Sequence, residues 1–195
     1  MKFLPVLLPF FALVYSCQNP PAKELPVSEK DTVKKNYLPV ADLLRSEIAS
    51  VDSFPMLIRR YEITGNRKDS TVLTVAEFDR IAREFIQPGL DSAYFDSHFS
   101  ESSFLDQSTD MSSFTYSTKD TGFGLKRVDV LLKHTSTGEK LNSIYMETFS
   151  GNQDSSFIRK MSWKAGRNFS ILQITQPKGR PESASQTLVV WDTRE

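Results

Sequence analysis

The sequence predicts an α+β fold in which helices come first and a large, curved antiparallel sheet follows. Three observations favour this fold. Helical periodicity of apolar residues is confined to the part of the chain before residue 100. Beyond it, glycine-containing turns recur at nearly regular intervals, at positions 122, 138, 151, 166 and 179. The runs between them are rich in β-branched and aromatic residues, as expected of antiparallel strands joined by short connections.

The first helix is predicted over residues 37–51, where apolar residues recur at spacings of three and four. Pro39 suits the start of this helix, because the first turn has no use for the missing N–H. The apolar stripe consists of Val40, Leu44, Ile48 and Val51.

A hairpin is predicted next, with strands over residues 56–64 and 71–75 and a turn over residues 65–70. Thr74 lies three residues before Glu77, which is the spacing of a capping box. The capping box predicts a second helix directly after the hairpin.

This second helix is expected to end at residues 87–89, where the sequence is Gln-Pro-Gly. A shorter third helix is predicted over residues 91–99. The predicted buried face of the second helix consists of Phe78, Ile81, Ala82 and Phe85.

About seven sequential strands are predicted to follow as a meander. Their segments are 125–134, 140–149, 155–164, 168–176 and 185–193, preceded by strands near Phe104 and at 114–118. Apolar and polar residues alternate in several of them, for example in Phe157–Lys164, so one face of the sheet is expected to be apolar. We expect the two or three N-terminal helices to cover that face.

Charge and cysteine content limit the classes of function. The chain has 24 Lys and Arg residues against 24 Asp and Glu residues, so it has no net positive charge to attract nucleic acid. Its single cysteine excludes an internal disulfide, a multi-thiolate zinc site and a CxxC redox motif. We therefore expect no nucleic-acid partner, no metal and no cofactor.

The amino terminus has the features of a signal peptide, predicted over residues 1–16. Lys2 is followed by an uncharged, mostly apolar run over residues 3–15. A transmembrane helix needs about 20 apolar residues. This run is shorter and is interrupted by Pro5 and Pro9, so we expect a cleaved leader and not a membrane span.

The end of the leader, Val14-Tyr15-Ser16-Cys17, resembles the lipobox of bacterial lipoproteins. Val14, Ser16 and Cys17 match the pattern, whereas Tyr15 replaces a usually smaller residue. The resemblance implies cleavage after Ser16 and attachment of a diacylglyceryl group to the Cys17 sulfur. Two or three acyl chains would hold the protein firmly at a membrane. The alternative is an ordinary secreted protein whose leader happens to end in cysteine.

Residues 17–36 then comprise the lipidated cysteine and a tether rich in proline and in charges of mixed sign. Gln18 stands where an Asp would act as a retention signal in some bacteria, so the resemblance favours an outer-membrane protein facing the periplasm. Residues 37–195 are predicted to form a single α+β domain. In composition and architecture alone, the chain resembles uncharacterised envelope lipoproteins of Bacteroidota, and no motif in residues 37–195 identifies a family.

Catalytic motifs are not evident in this domain. The two histidines, His98 and His134, lie in different elements without metal-ligand spacing. His98 lies among acidic residues and Arg159 lies on a predicted strand, so these two are weak functional candidates. Whichever of Arg59 and Arg60 points inward would need a partner or a bound anion.

We therefore predict a non-enzymatic binding or structural role in the cell envelope. The binding partner would be an apolar small molecule, held on the curved sheet by aromatic side chains, or another envelope protein. The alternative is an enzyme acting on an envelope substrate, with a site assembled from residues distant in sequence.

Overall fold

The computed structural model describes residues 37–52 and 57–192, which fall within one compact unit, Lys35–Glu195. Cys17 and Ser16 therefore lie outside the described residues. Three α-helices, α1 to α3, and one 3₁₀ helix precede most of the strands. They are α1 (Val40–Asp52), α2 (Val75–Ala82), the 3₁₀ helix (Arg83–Phe85) and α3 (Ser92–His98).

Nine strands make up one antiparallel sheet, so the described residues are mostly β-structure. The hairpin strands are β1 (Ile58–Thr64) and β2 (Arg67–Leu73). The meander strands are β3 (Ser100–Asp106), β4 (Met111–Ser117), β5 (Leu125–Thr135), β6 (Gly138–Gly151), β7 (Ser155–Lys164), β8 (Asn168–Pro177) and β9 (Ser183–Val190). The predicted hairpin and seven-stranded meander are thus confirmed.

The strand order is β2-β1-β9-β8-β7-β6-β5-β4-β3. Sequential neighbours pair throughout the meander, and its last strand, β9, pairs with β1. The register places Trp163, Phe169, Val189 and Arg60 side by side across β7, β8, β9 and β1. Residues that share such a row point to the same face of a sheet.

Aromatic rings fill the centre of this face. Phe85 lies with its ring centroid 5.2 Å from those of both Trp163 and Phe169, and Phe78 lies 5.3 Å from Trp191. The Trp163 and Phe169 rings are stacked. Since these side chains are almost completely buried, they belong to the core and do not line an open groove.

The predicted positions of the helices agree with the structure. The four residues of the α1 stripe are buried, and so are the four predicted for the second helix, of which Phe78, Ile81 and Ala82 lie on α2 and Phe85 lies on the 3₁₀ helix. The capping box is present, with the Glu77 N–H donating to Thr74 Oγ1 at 3.3 Å and the Thr74 N–H donating to Glu77 Oε2 at 2.8 Å.

The predicted turn over residues 65–70 is wrong in length. The turn consists of Gly65 and Asn66 alone, and Arg67–Ser70 belong to β2. Gly65 has φ of +55°, a conformation that glycine adopts without strain. The mostly polar sequence of β2 resembles that of a loop. In the structure β2 lies at the edge of the sheet, and every residue of it except Leu73 is exposed.

Candidate functional site

A polar cleft of about 340 Å³ lies where the aromatic core ends. Its sheet side is formed by residues of β1, β7, β8 and β9, and its helix side by α2 and the 3₁₀ helix. The lining includes Arg60, Glu62, Arg80, Ile81, Glu84, Arg159, Ile171, Gln173, Ser185 and Thr187. We call it the arginine cleft.

Strand alternation brings two arginines into the arginine cleft from opposite sides. Arg60 shares its row with the buried Val189, and Arg159 lies two residues before the buried Met161 on the same face of β7. Strands β8 and β9 lie between them. Of the pair Arg59 and Arg60, it is therefore Arg60 that faces the core side.

Arg159 is held from above by the 3₁₀ helix. Its Nη2 donates a hydrogen bond to Glu84 Oε2, which joins the helix to the sheet. Both side chains keep partial contact with solvent, at 27% and 42% exposure, so the ion pair is partly screened. This ion pair gives a hydrogen-bond acceptor to one guanidinium nitrogen of Arg159, Nη2.

The Nε atoms of Arg60 and Arg159 are buried, and neither makes a hydrogen bond within the described residues. The nearest acid to Arg60 Nε is Glu62, whose Oε1 lies 3.5 Å away in an ion pair without hydrogen-bond geometry. A buried N–H without an acceptor costs roughly 1–3 kcal/mol. A bound ligand that offers hydrogen-bond acceptors to these two N–H groups would therefore remove this free-energy cost.

The charges of the arginine cleft favour an anion. Its lining carries three guanidinium groups, from Arg60, Arg80 and Arg159, against the two carboxylates of Glu62 and Glu84. Guanidinium groups bind carboxylates and phosphates through two parallel N–H donors. Hydroxyl and amide groups of Ser185, Thr187 and Gln173 add neutral hydrogen-bonding atoms to the lining.

Two other clefts adjoin α1. One, of about 570 Å³, includes Ile48, Ile86 and the ion pair of Asp79 with Arg83, whose atoms lie 2.7 Å apart. The other, of about 390 Å³, includes Pro39 and Leu90. Each of the three clefts contains charged side chains, whereas an apolar ligand would favour a lining mainly of aliphatic and aromatic groups.

His98, one of the two weak candidates, is exposed at the end of α3. Its ring packs against Phe123, with centroids 4.2 Å apart, and against Tyr94, at 4.8 Å. Asp91, one of the acids near it in sequence, accepts the Tyr94 N–H at 2.8 Å as the cap of α3. The His98 ring therefore packs against aromatic side chains, and it does not line the arginine cleft.

A second polar group joins three strands elsewhere on the sheet. His134 Nε2 lies 2.7 Å from Ser112 Oγ, and His134 Nδ1 lies 3.5 Å from Glu139 Oε1. A serine, a histidine and an acid in this order are the residue types of a hydrolase triad. The His134 and Glu139 side chains are 39% and 47% exposed, so solvent weakens their interaction.

Sequence reasoning identified Arg159 and the alternatives Arg59 and Arg60, but it missed Arg80 and Glu84. Glu84 lies three residues after Ile81, so helical spacing could have placed it beside the buried face. It missed Ser112 and Glu139 as partners of His134, because strand register alone brings these residues together.

Comparison with protein-family models, with curated proteins and with solved structures found no match to this chain. None of the helices in residues 37–52 and 57–192 is long and apolar enough to cross a membrane. Within the same residues, no group of three or more His, Cys, Asp or Glu side chains could hold a metal ion.

Proposed function

We propose that this protein is a lipid-anchored, non-enzymatic binding protein of the cell envelope that holds an anionic group in the arginine cleft. The observation that carries the proposal is the pair of buried Nε donors, of Arg60 and Arg159, without hydrogen-bond partners. The ligand is a carboxylate or phosphate of a small molecule or of a partner protein. In this proposal the anion takes the place of the apolar ligand expected from the sequence.

Binding is tested by thermal unfolding of the full chain with sodium phosphate or sodium succinate, at constant ionic strength set with chloride. A ligand at about 100 times its Kd stabilises the folded state by about 2.7 kcal/mol. We expect one of the two anions to raise the Tm of the wild type, and Arg60→Gln to abolish the rise. Arg159→Gln should weaken it.

Neighbouring residues on the opposite face of the sheet provide matched controls. Arg59→Gln and Lys160→Gln remove the same charge from β1 and β7 without altering the arginine cleft. They should retain the full response to the anion. An equal rise of Tm in all four variants would show that the anion acts on the protein's general charge, which refutes the proposal.

The anchor is proposed from the lipobox resemblance of Val14–Cys17, with the protein at the outer membrane facing the periplasm. Replacing Cys17 with Ser removes the sulfur that would carry the diacylglyceryl group. We expect the variant to leave the membrane fraction of cells that make the full chain. Retention of Cys17→Ser in that fraction would refute a lipid anchor at Cys17.

We also propose that α1, α2 and α3 together cover the apolar face of the sheet. Support comes from the ring contacts of Phe78 and Phe85 with Trp163, and of Phe95 with Tyr116. Glu47 of α1 adds polar contacts, since it accepts the Trp163 Nε1–H at 3.3 Å and the Gly166 N–H at 2.8 Å. Such a cover confines the arginine cleft to the margin of the core.

A second candidate function is hydrolysis, favoured by the geometry of Ser112, His134 and Glu139. Here Ser112 Oγ would attack an acyl carbonyl while His134 Nε2 accepts its proton and passes it to the leaving group. Water would then release the acyl group from Ser112. A fluorophosphonate probe should label Ser112 in the wild type and in Ser113→Ala, but not in His134→Gln. Absence of labelling in the wild type would refute this candidate.

A further inference from the structure

The two edges of the nine-stranded sheet differ in how they are protected. Within the described residues, β2 forms one edge and β3 the other. An edge strand presents unpaired backbone N–H and C=O groups, and charged side chains discourage another strand from pairing with it. β2 carries Arg67, Lys68 and Asp69, all exposed.

β3 lacks this protection. Its sequence, SESSFLD, has no Lys, Arg or Pro, and it exposes 67% of Phe104 and 52% of Leu105. Its two acids are both engaged locally. Asp106 accepts hydrogen bonds from Ser108 and Thr109 in the following turn, and Glu101 lies opposite Tyr116 of β4. The β3 edge therefore lacks the lysine, arginine and proline that protect an edge strand, and the Asp106 carboxylate is already hydrogen-bonded within its own turn.

We propose that β3 pairs with β3 of a second copy of this chain, in an antiparallel, two-fold symmetric dimer. A two-fold axis normal to the sheet keeps each face on its own side, so a residue must lie opposite itself at the centre. All seven residues of β3 pair when this central residue is Ser103. The proposal does not depend on the arginine cleft or on the lipid anchor.

This register is favourable for the side chains of β3. Glu101 lies opposite Leu105 of the second copy, and Asp106 lies opposite Ser100, so no carboxylates face each other. Phe104 lies opposite Ser102 and is a diagonal neighbour of Phe104 in the second copy, within reach for an aromatic side chain. The dimer thus partly shields from water the most exposed large apolar side chain of the described residues.

Cysteine crosslinking in the full chain tests the register. Ser103→Cys places two sulfurs opposite each other at the axis, where Cβ atoms of paired residues lie about 5 Å apart. A short bis-maleimide should therefore convert most of the variant to a covalent dimer. The wild type, with Cys17 as its only cysteine, serves as the blank.

Ser70→Cys is the matched control, because Ser70 is the central residue of β2, the charged edge. It should stay monomeric under the same treatment. Phe104→Lys, combined with Ser103→Cys, should reduce the dimer several-fold by adding a charge to the edge. Equal crosslinking of Ser103→Cys and Ser70→Cys would indicate random collision, and it would overturn the proposal. So would the absence of a dimer from Ser103→Cys.

Discussion

Tyr116 shows how one buried residue links an early segment to the sheet. Its side chain is fully buried on β4, its ring stacks on Phe95 at a centroid distance of 4.6 Å, and its hydroxyl oxygen accepts the Leu38 N–H at 3.1 Å. Burial raises the pKa of Tyr116 to about 12. In the unfolded chain a tyrosine has its ordinary pKa of about 10.

The sign of the pH dependence follows from these values. Below pH 10 the neutral phenol is present in both states, so the full contribution to stability is retained. Between pH 10 and 12 the unfolded chain loses the proton of Tyr116 while the folded protein keeps it. We expect the free energy of unfolding to fall by about 2–3 kcal/mol over this range.

Urea unfolding at a series of pH values from 9 to 12 measures this loss. Tyr116→Phe should show a smaller decline with pH, together with lower stability at pH 9, because the Leu38 N–H loses its acceptor. Tyr61→Phe, on the opposite face of the sheet, should follow the wild type. Equal slopes for wild type and Tyr116→Phe would contradict the assignment.

At the residue scale, sequence periodicity predicted which apolar residues are buried, but it did not predict the orientation and the partners of the polar residues. Phe78 and Phe85 could be assigned to the core because helical spacing groups them with Ile81. The adjacent Arg59 and Arg60 must point to opposite faces of a strand, but which of them shares a face with the buried Val189 depends on the pairing of β1 with β9. The pairing of Arg159 with Glu84 joins residues distant in sequence, and no local pattern specifies it.

Helix α2 depends on its cap more than a long helix would. It has only eight residues, and isolated helices of this length are unstable in water. The cap satisfies backbone donors at its start, and burial of Phe78, Ile81 and Ala82 adds packing that an isolated helix lacks. Because α2 carries Arg80 and precedes Glu84, the cap also positions one side of the arginine cleft.

Replacing Thr74 with Ala should lower the free energy of unfolding by about 1 kcal/mol. Thr74→Ser should retain most of the stability, because serine keeps the hydroxyl.

Hydrogen bonds from the Thr74 backbone and side chain hold the pKa of Glu77 below its usual value. This contribution to stability is present above the usual pKa and is lost as the pH falls, so Thr74→Ala should also be less sensitive to acid. Urea unfolding at pH 7 and at pH 4 measures both effects.

At the element scale, the accuracy of the predicted strand boundaries differed between strands: β4 begins at residue 111 and β9 ends at residue 190, against predicted segments of 114–118 and 185–193. The boundaries of β7 were predicted correctly because Met161 and Trp163 alternate with Lys160 and Ser162. The polar sequence of β2 has no such alternation. Its strand conformation is stabilised by backbone pairing with β1, which sequence polarity does not reveal.

At the scale of the whole described structure, Trp163 is the centre of one of the aromatic clusters in the core, and Tyr116 belongs to another. The Trp163 side chain contacts Phe78, Phe85, Phe169 and Trp191 and is completely inaccessible to water. The antiparallel meander was predictable from the spacing of its turns. The pairing of β9 with β1 was not, because the two strands lie near opposite ends of the described chain.

Truncating Trp163 to Ala should lower the free energy of unfolding by about 3–5 kcal/mol, through lost burial and the cavity left behind. Phe149→Ala provides the comparison, since Phe149 lies on the neighbouring strand β6 and is 41% exposed. It should cost less than half as much. Similar losses for the two variants in urea unfolding would show that the aromatic cluster is not the centre of stability.

The pairing of β1 with β9 has a consequence for the order of folding. Arg59 lies opposite Val190, so the hairpin of β1 and β2 has no partner strand until β9, the last of the described strands, is available. Contacts between residues far apart in sequence slow folding, because a long loop must close before they form. Folding should therefore reach completion only after synthesis of β9, and deletion of β9 should separate the hairpin from the meander.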